Sequence, residues 1–192
     1  MVPVLLFDVG LPMIIPALFF MVPGLIPIVL IETFYAAKAL SLRFWKTVGS
    51  VAFANVVSTV VGIPATWFVL FIIQLATGGG GSYGVKGYWG RLLEVTLQAP
   101  WVLPAGGRDE TVIIHFAALF LLIPFFFATW GIEYVMTRNR LAAEIVETQP
   151  SIEIDSAERS VWRTVRNANL LSYGVMAILI VVSLLLSFKT QT

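Results

Sequence analysis

The sequence predicts an all-α integral membrane protein: a four-helix bundle made of two duplicated helical hairpins, with a short interfacial helix in the exterior loop between them. Three observations lead there. The first is composition, since 58% of the 192 residues are hydrophobic, 12% are charged and the mean hydropathy is +0.90. A water-soluble domain is about 45 to 50% apolar and about a quarter charged. The second is where the charges fall: 12 basic and 11 acidic residues leave long charge-free gaps at 9–31, 47–85, 111–132 and 167–188. Crossing a hydrocarbon core about 30 Å thick at 1.5 Å per residue takes about 20 apolar residues, and every gap is long enough. The third is a set of short motifs that recurs in the two halves of the chain.

These observations exclude several classes. A net charge of +1 lacks the one-sided basic excess that nucleic acid demands. With no cysteine, disulfides, iron–sulfur clusters and thiolate zinc sites are absent. Neither G-x-S-x-G nor H-E-x-x-H occurs, and no catalytic or metal-ligating set of residues can be assembled. The expectation is a non-catalytic protein with no resident metal. No Lys or Arg precedes the first apolar run, so it lacks the basic start of a signal peptide and is read as a retained helix.

The spans are expected at about 9–35, 46–77, 111–136 and 167–188, separated by an exterior loop at 78–110 and a cytoplasmic polar segment at 137–166. Lys and Arg set the orientation. Lys38, Arg43, Lys46, Arg138, Arg140, Arg159, Arg163 and Arg166 fall on one side, against Lys86, Arg91, Arg108 and Lys189 on the other. Basic excess marks the cytoplasmic side, so both termini are expected on the periplasmic or lumenal side of a prokaryotic inner membrane or thylakoid.

In the first span Pro12, Pro16, Pro23 and Pro27 line up on one helical face, which is expected to turn toward protein because each proline frees a backbone carbonyl. Either the span kinks or Pro23-Gly24 breaks it into two half-helices. The second gap is longer than a straight span needs, so it tilts and kinks at Pro64 or projects into the cytoplasm. Its Ser50, Ala54, Ser58 and Gly62 form a ridge of small residues that lets another helix approach closely.

The exterior loop opens with four glycines, Gly78 to Gly81, which lack the Gly-Lys-Ser/Thr of a phosphate loop. Tyr88, Trp89 and Trp101 are candidate interfacial anchors, because amphipathic rings favour the headgroup level. Residues Gly87 to Gln98 form either a short interfacial helix or an ordered capping loop. The polar segment balances five basic against five acidic residues and reads as a solvated face. Thr148-Gln149-Pro150 stops the third helix, and Ser156 and Ser160 offer caps for the last.

Leu25-Ile26-Pro27 and Ile31-Glu32 in the first helix match Leu122-Ile123-Pro124 and Ile132-Glu133 in the third. Phe44-Trp45-Lys46-Thr47-Val48 matches Val161-Trp162-Arg163-Thr164-Val165, and Ala54-Asn55-Val56-Val57-Ser58 matches Ala168-Asn169-Leu170-Leu171-Ser172. Spacings differ by about one helical turn, which preserves the facing side. The inference is a hairpin repeated in the same orientation, of the kind that packs about an axis along the membrane normal. Each copy puts a Glu at the end of one helix and an Asn two turns into the next, so Glu32 is expected to meet Asn55, and Glu133 to meet Asn169. Such pairs act either as interhelical packing or as a proton or ion path.

His115 is the only histidine. It is either a hydrogen-bonded packing residue, with Asp8 a possible neighbour, or an axial ligand to haem or a chlorophyll magnesium. At the Ile-Glu helix ends and the Ala-Asn-x-x-Ser starts, the chain loosely resembles small uncharacterised polytopic membrane proteins of bacteria, cyanobacteria among them. The resemblance covers most of the chain but implies no activity and carries over no functional residue. Three functions follow as expectations. The first is an accessory, assembly or scaffold subunit of a larger membrane complex, in contact with lipid and other subunits or copies of itself. The others are a small transporter or channel subunit and a pigment or haem carrier.

Overall fold

A computed structural model of the chain describes residues 14–77, 88–98 and 108–190. They form five helices: α1 (Ile14–Ala39), α2 (Phe44–Thr77), α3 (Tyr88–Gln98), α4 (Arg108–Thr148) and α5 (Ile154–Thr190). No strand occurs among the described residues. Three segments are long and apolar enough to cross a membrane: Phe44–Ile73, Thr111–Thr148 and Ile154–Phe188. The Gly78 to Gly81 run, Trp101, Pro12 and Asp8 lie outside the described residues.

The turn from α1 to α2 is a helix-ending Schellman motif. Ser41 adopts a left-handed backbone, φ 55°; its N–H donates to Lys38 O (3.4 Å) and that of Leu42 donates to Ala37 O (2.9 Å). Glycine is the usual residue at this position because a Cβ there is strained. Leu42 and Ala37, which this motif brings together, are both buried.

α4 and α5 run on well beyond the apolar gaps. At 41 and 37 residues they extend roughly 60 and 55 Å, so most of the polar segment is helical, and only Gln149 to Glu153 breaks it. The halt after Thr148 comes just ahead of Pro150. The caps differ from expectation: Glu153 O accepts from the N–H groups of Ser156 and Ala157, which puts Ser156 inside the first turn. Its Oγ instead accepts from Arg159 Nη2 (2.9 Å), while Ser160 Oγ donates to Ser156 O (3.0 Å).

The described residues pack as two units, one drawn from 21–62 and 125–176, the other from the described parts of 1–20, 63–124 and 177–192. In the first, Leu40, Leu42, Leu141, Ala142, Ile145, Ala157, Val161 and Val165 form a buried core that joins the two turnarounds. On its flank, Trp130 packs edge-on against Trp162 (centroids 5.3 Å apart), and the Arg166 guanidinium lies 5.1 Å from the Trp162 ring. The second unit has a smaller core of Leu92, Ile113 and Ala117, with Val95 packed against it.

One expectation fails in α1. Pro23 and Pro27 are exposed, whereas Glu32, Thr33, Ala36 and Ala37 are buried. Nine residues at about 100° each put Glu32 about 180° from Pro23. The helix has one inward face, and the carboxyl occupies it because hydrogen-bonding partners lie there.

Candidate functional site

The polar residues of the first unit converge in its interior. Glu32 and Glu133 are each 2% exposed, Asn55 3% and Asn169 0%. Burying such groups is costly unless each finds partners, and here partners are supplied from four helices. Asn55 Nδ2 donates to Glu32 Oε2 (2.7 Å) and to Val51 O (3.1 Å). Asn169 Nδ2 likewise donates to Glu133 Oε2 (2.7 Å) and to Val165 O (3.1 Å). In both cases a backbone carbonyl one turn back takes one amide hydrogen and aims the other at the acid.

The second oxygen of each acid is met by a serine. Ser172 Oγ donates to Glu32 Oε1 (2.6 Å), and Ser58 Oγ donates to Glu133 Oε1 (3.1 Å). Both serines also reach the carbonyl of the asparagine three residues earlier, at 3.1 Å and 3.0 Å. Glu32 on α1 is therefore bound by α2 and α5, and Glu133 on α4 by α5 and α2. Each acid takes its amide from the adjacent helix in sequence and its hydroxyl from the other half of the chain, which closes a ring through all four helices.

Sequence reasoning pairs the acids with the asparagines but misses the serine crossings. Ser58 enters it only as part of the packing ridge, and Ser172 only as the end of a repeated motif. A signal was present, because both serines follow their asparagine by three residues and so share its face. Thr137 was missed too; it is buried one turn after Glu133 and donates to its carbonyl (2.7 Å).

A small cavity of about 20 Å³ lies against this network, lined by Glu32, Glu133, Asn169, Thr137, Ala36 and Ala168 among others. That is room for about one water-sized occupant. Asn169 Oδ1 is buried and has no hydrogen-bond partner among the described residues.

The remaining candidates lie elsewhere. Ser50, Ala54, Ser58 and Gly62 are all buried, so the ridge faces protein. A Cβ built on Gly62 would meet Ile132 Cδ1 at 3.8 Å, an ordinary contact. Close approach therefore does not demand glycine there. Tyr88 and Trp89 are 45% and 75% exposed on α3, while Leu92 and Leu97 are buried.

His115, in the second unit, has both ring nitrogens engaged: Nδ1 lies 2.6 Å from Thr111 O and Nε2 3.2 Å from Ser183 Oγ. A carbonyl only accepts, which assigns the proton to Nδ1 and leaves the Nε2 lone pair to accept from Ser183. An axial ligand would have to displace that hydroxyl. A larger open cavity of about 470 Å³, lined by Tyr134, Asp155, Glu158, Arg159, Trp162 and Arg163, mixes both signs of charge, as a solvated face does. No group of three or more acidic, His or Cys side chains suited to a metal occurs among the described residues.

The described fold is thus all-helical, with three helices apolar enough to cross a membrane and polar side chains gathered inside. Comparison with protein-family models, with curated proteins and with solved structures finds no match.

Proposed function

We propose that the chain is an integral membrane protein, a four-helix bundle of two duplicated hairpins, serving as a non-catalytic accessory, assembly or scaffold subunit of a larger membrane complex. One observation carries this reading: the buried acids, asparagines and serines at the centre of the first unit bond to one another across four helices. Each Asn55 and Asn169 amide hydrogen, each Ser58 and Ser172 hydroxyl and every oxygen of Glu32 and Glu133 takes part in the network described above. What is displayed outward is apolar, as in Phe34, Phe53, Phe68, Phe127 and Leu179, each more than half exposed. That surface suits lipid, further subunits or a second copy of the chain.

The duplication draws support from the bonds. The two Asn-to-Glu distances are equal, as are the two Asn-to-carbonyl distances. The cavity lining also falls into matched positions, Ala36 with Thr137, Val51 with Val165 and Ala54 with Ala168. The orientation with both termini periplasmic or lumenal rests on the eight-to-four division of Lys and Arg.

Native purification in a mild detergent tests the subunit reading. Defined partner subunits should co-purify in fixed stoichiometry, and a homogeneous monomer would contradict it. The cavity between the two acids favours a second reading, a small transporter or channel subunit moving a proton or ion. Flux in proteoliposomes that Glu32→Gln and Glu133→Gln abolish without impairing assembly would establish that reading in place of the first. A pigment or haem role for His115 is the third reading. It rests on the Nδ1-protonated ring and requires a Soret or chlorophyll band in the purified protein.

A further inference from the structure

A second polar region lies outside the buried network, at the end of the α4–α5 hairpin. The open cavity there, about 470 Å³, is lined by Tyr134 on α4 and by Asp155, Glu158, Arg159, Trp162 and Arg163 on α5. That volume falls within the range of small-molecule sites, about 300 to 1,000 Å³. Mixed charge alone is what a solvated face shows, but the arrangement goes further. The α5 residues recur at alternating steps of three and one, which keeps them on one helical face. Asp155 and Arg159 stand at the four-residue spacing, acid first, at which helices form ion pairs. Yet no ion pair joins these acids to these arginines: the described pair is Lys46 with Glu144 (3.3 Å), and Arg159 Nη2 donates to Ser156 Oγ (2.9 Å). Two positive and two negative groups thus line one space without neutralising each other. The wall between them is held in place, because Trp162 packs edge-on against Trp130 and carries the Arg166 guanidinium over its ring.

We propose that this cavity binds the phosphoethanolamine headgroup of a membrane lipid, with Arg159 and Arg163 on the phosphate and Asp155 and Glu158 on the ammonium. The order of charges along α5 matches their order along the lipid. Arg163 stands four residues before the charge-free stretch 167–188, and Asp155 eight residues further out, roughly 12 Å along the helix. In the lipid the phosphate is joined to the glycerol and the ammonium ends the headgroup, so the arginines belong on the acyl-chain side and the acids outward. Arginine offers donors in the fork that phosphate accepts, and an ammonium has three hydrogens for carboxylates to take. Charge decides the lipid class. A polybasic patch draws anionic lipids, whereas here two acids balance two arginines and match a zwitterion. A choline headgroup has no N–H to donate. Tyr134 and Trp162 are of the residue types that favour the headgroup level. The proposal rests on the membrane-spanning reading above, not on the scaffold role.

The test uses the full chain. Insertion is scored first, as resistance to alkaline extraction from phosphatidylcholine vesicles; a chain that washes off would overturn the membrane-spanning reading and this proposal together. Thermal unfolding of the purified chain in detergent is then followed as phosphatidylethanolamine, phosphatidylcholine or phosphatidylglycerol of matched acyl chains is added. Phosphatidylethanolamine should give a saturable rise in Tm of about 4 °C or more, and the other two less. Arg159→Gln combined with Arg163→Gln should remove that rise. Asp155→Asn combined with Glu158→Gln should turn the preference toward phosphatidylglycerol. These four side chains lie outside the core, so the variants should fold. Arg138→Gln with Arg140→Gln, exposed charges that do not line the cavity, should keep the wild-type response. Equal shifts from the three lipids, or a phosphatidylethanolamine response that survives loss of Arg159 and Arg163, would overturn the proposal while an inserted chain leaves the membrane-spanning reading standing. The same rise with soluble phosphoethanolamine alone would overturn it too, and assign the cavity to a free phosphate ester.

Discussion

Glu32 and Glu133 are each bound by an amide and a hydroxyl on two different helices, so removing either partner leaves a buried carboxyl half satisfied. Asn55→Ala and Asn169→Ala should each lower stability by about 1 to 3 kcal/mol, read as unfolding in detergent. A smaller loss, of about 0.6 to 2 kcal/mol, is expected from Ser58→Ala or Ser172→Ala. Ser41 offers the opposite sign. Its left-handed backbone suits glycine, so Ser41→Gly should raise stability by about 1 kcal/mol; an unchanged or lowered Tm would contradict that reading of the turn. At this scale the sequence was half legible. Glu–Asn pairing can be read because a four-residue turnaround, Leu40 to Arg43, returns the chain directly beside the helix it left. The serine partners lie 140 and 75 positions away from their acids, a separation over which periodicity gives a face but not a neighbour.

Among the elements, α2 presents its small-residue ridge inward, yet Gly62 has room for a methyl group. Gly62→Ala should therefore be neutral or stabilising by up to about 1 kcal/mol, because alanine favours helix over glycine; a marked loss of stability would show a tighter approach than 3.8 Å implies. Leu141, fully buried where the two turnarounds meet, should cost about 2 to 5 kcal/mol when cut to alanine. The same change at exposed Val135 should fall within about 0.5 kcal/mol. The helices themselves were readable from charge gaps and from Pro150. The inward face of α1 was not, because a proline stripe and an acid on opposite sides both argue for protein contact. The hydrogen-bonding partners of Glu32 decide between them. The extension of α4 and α5 through the polar segment was also hidden, since mixed charge suits a solvated helix as well as a loop.

For the molecule as a whole, class followed from composition, whereas the closed ring of hydrogen bonds depends on how four helices meet. That ring is what makes an assembly role the leading proposal, because it leaves few polar groups over for chemistry. Its distinctive feature is the crossing: each acid takes its hydroxyl partner from the other half of the chain. Double-mutant cycles on unfolding in detergent, combining Ser172→Ala with Glu32→Gln and separately with Glu133→Gln, measure that crossing. The structure predicts a coupling of about 1 kcal/mol between Ser172 and Glu32 that exceeds the coupling between Ser172 and Glu133. Zero coupling to Glu32, or a larger coupling to Glu133, would contradict it.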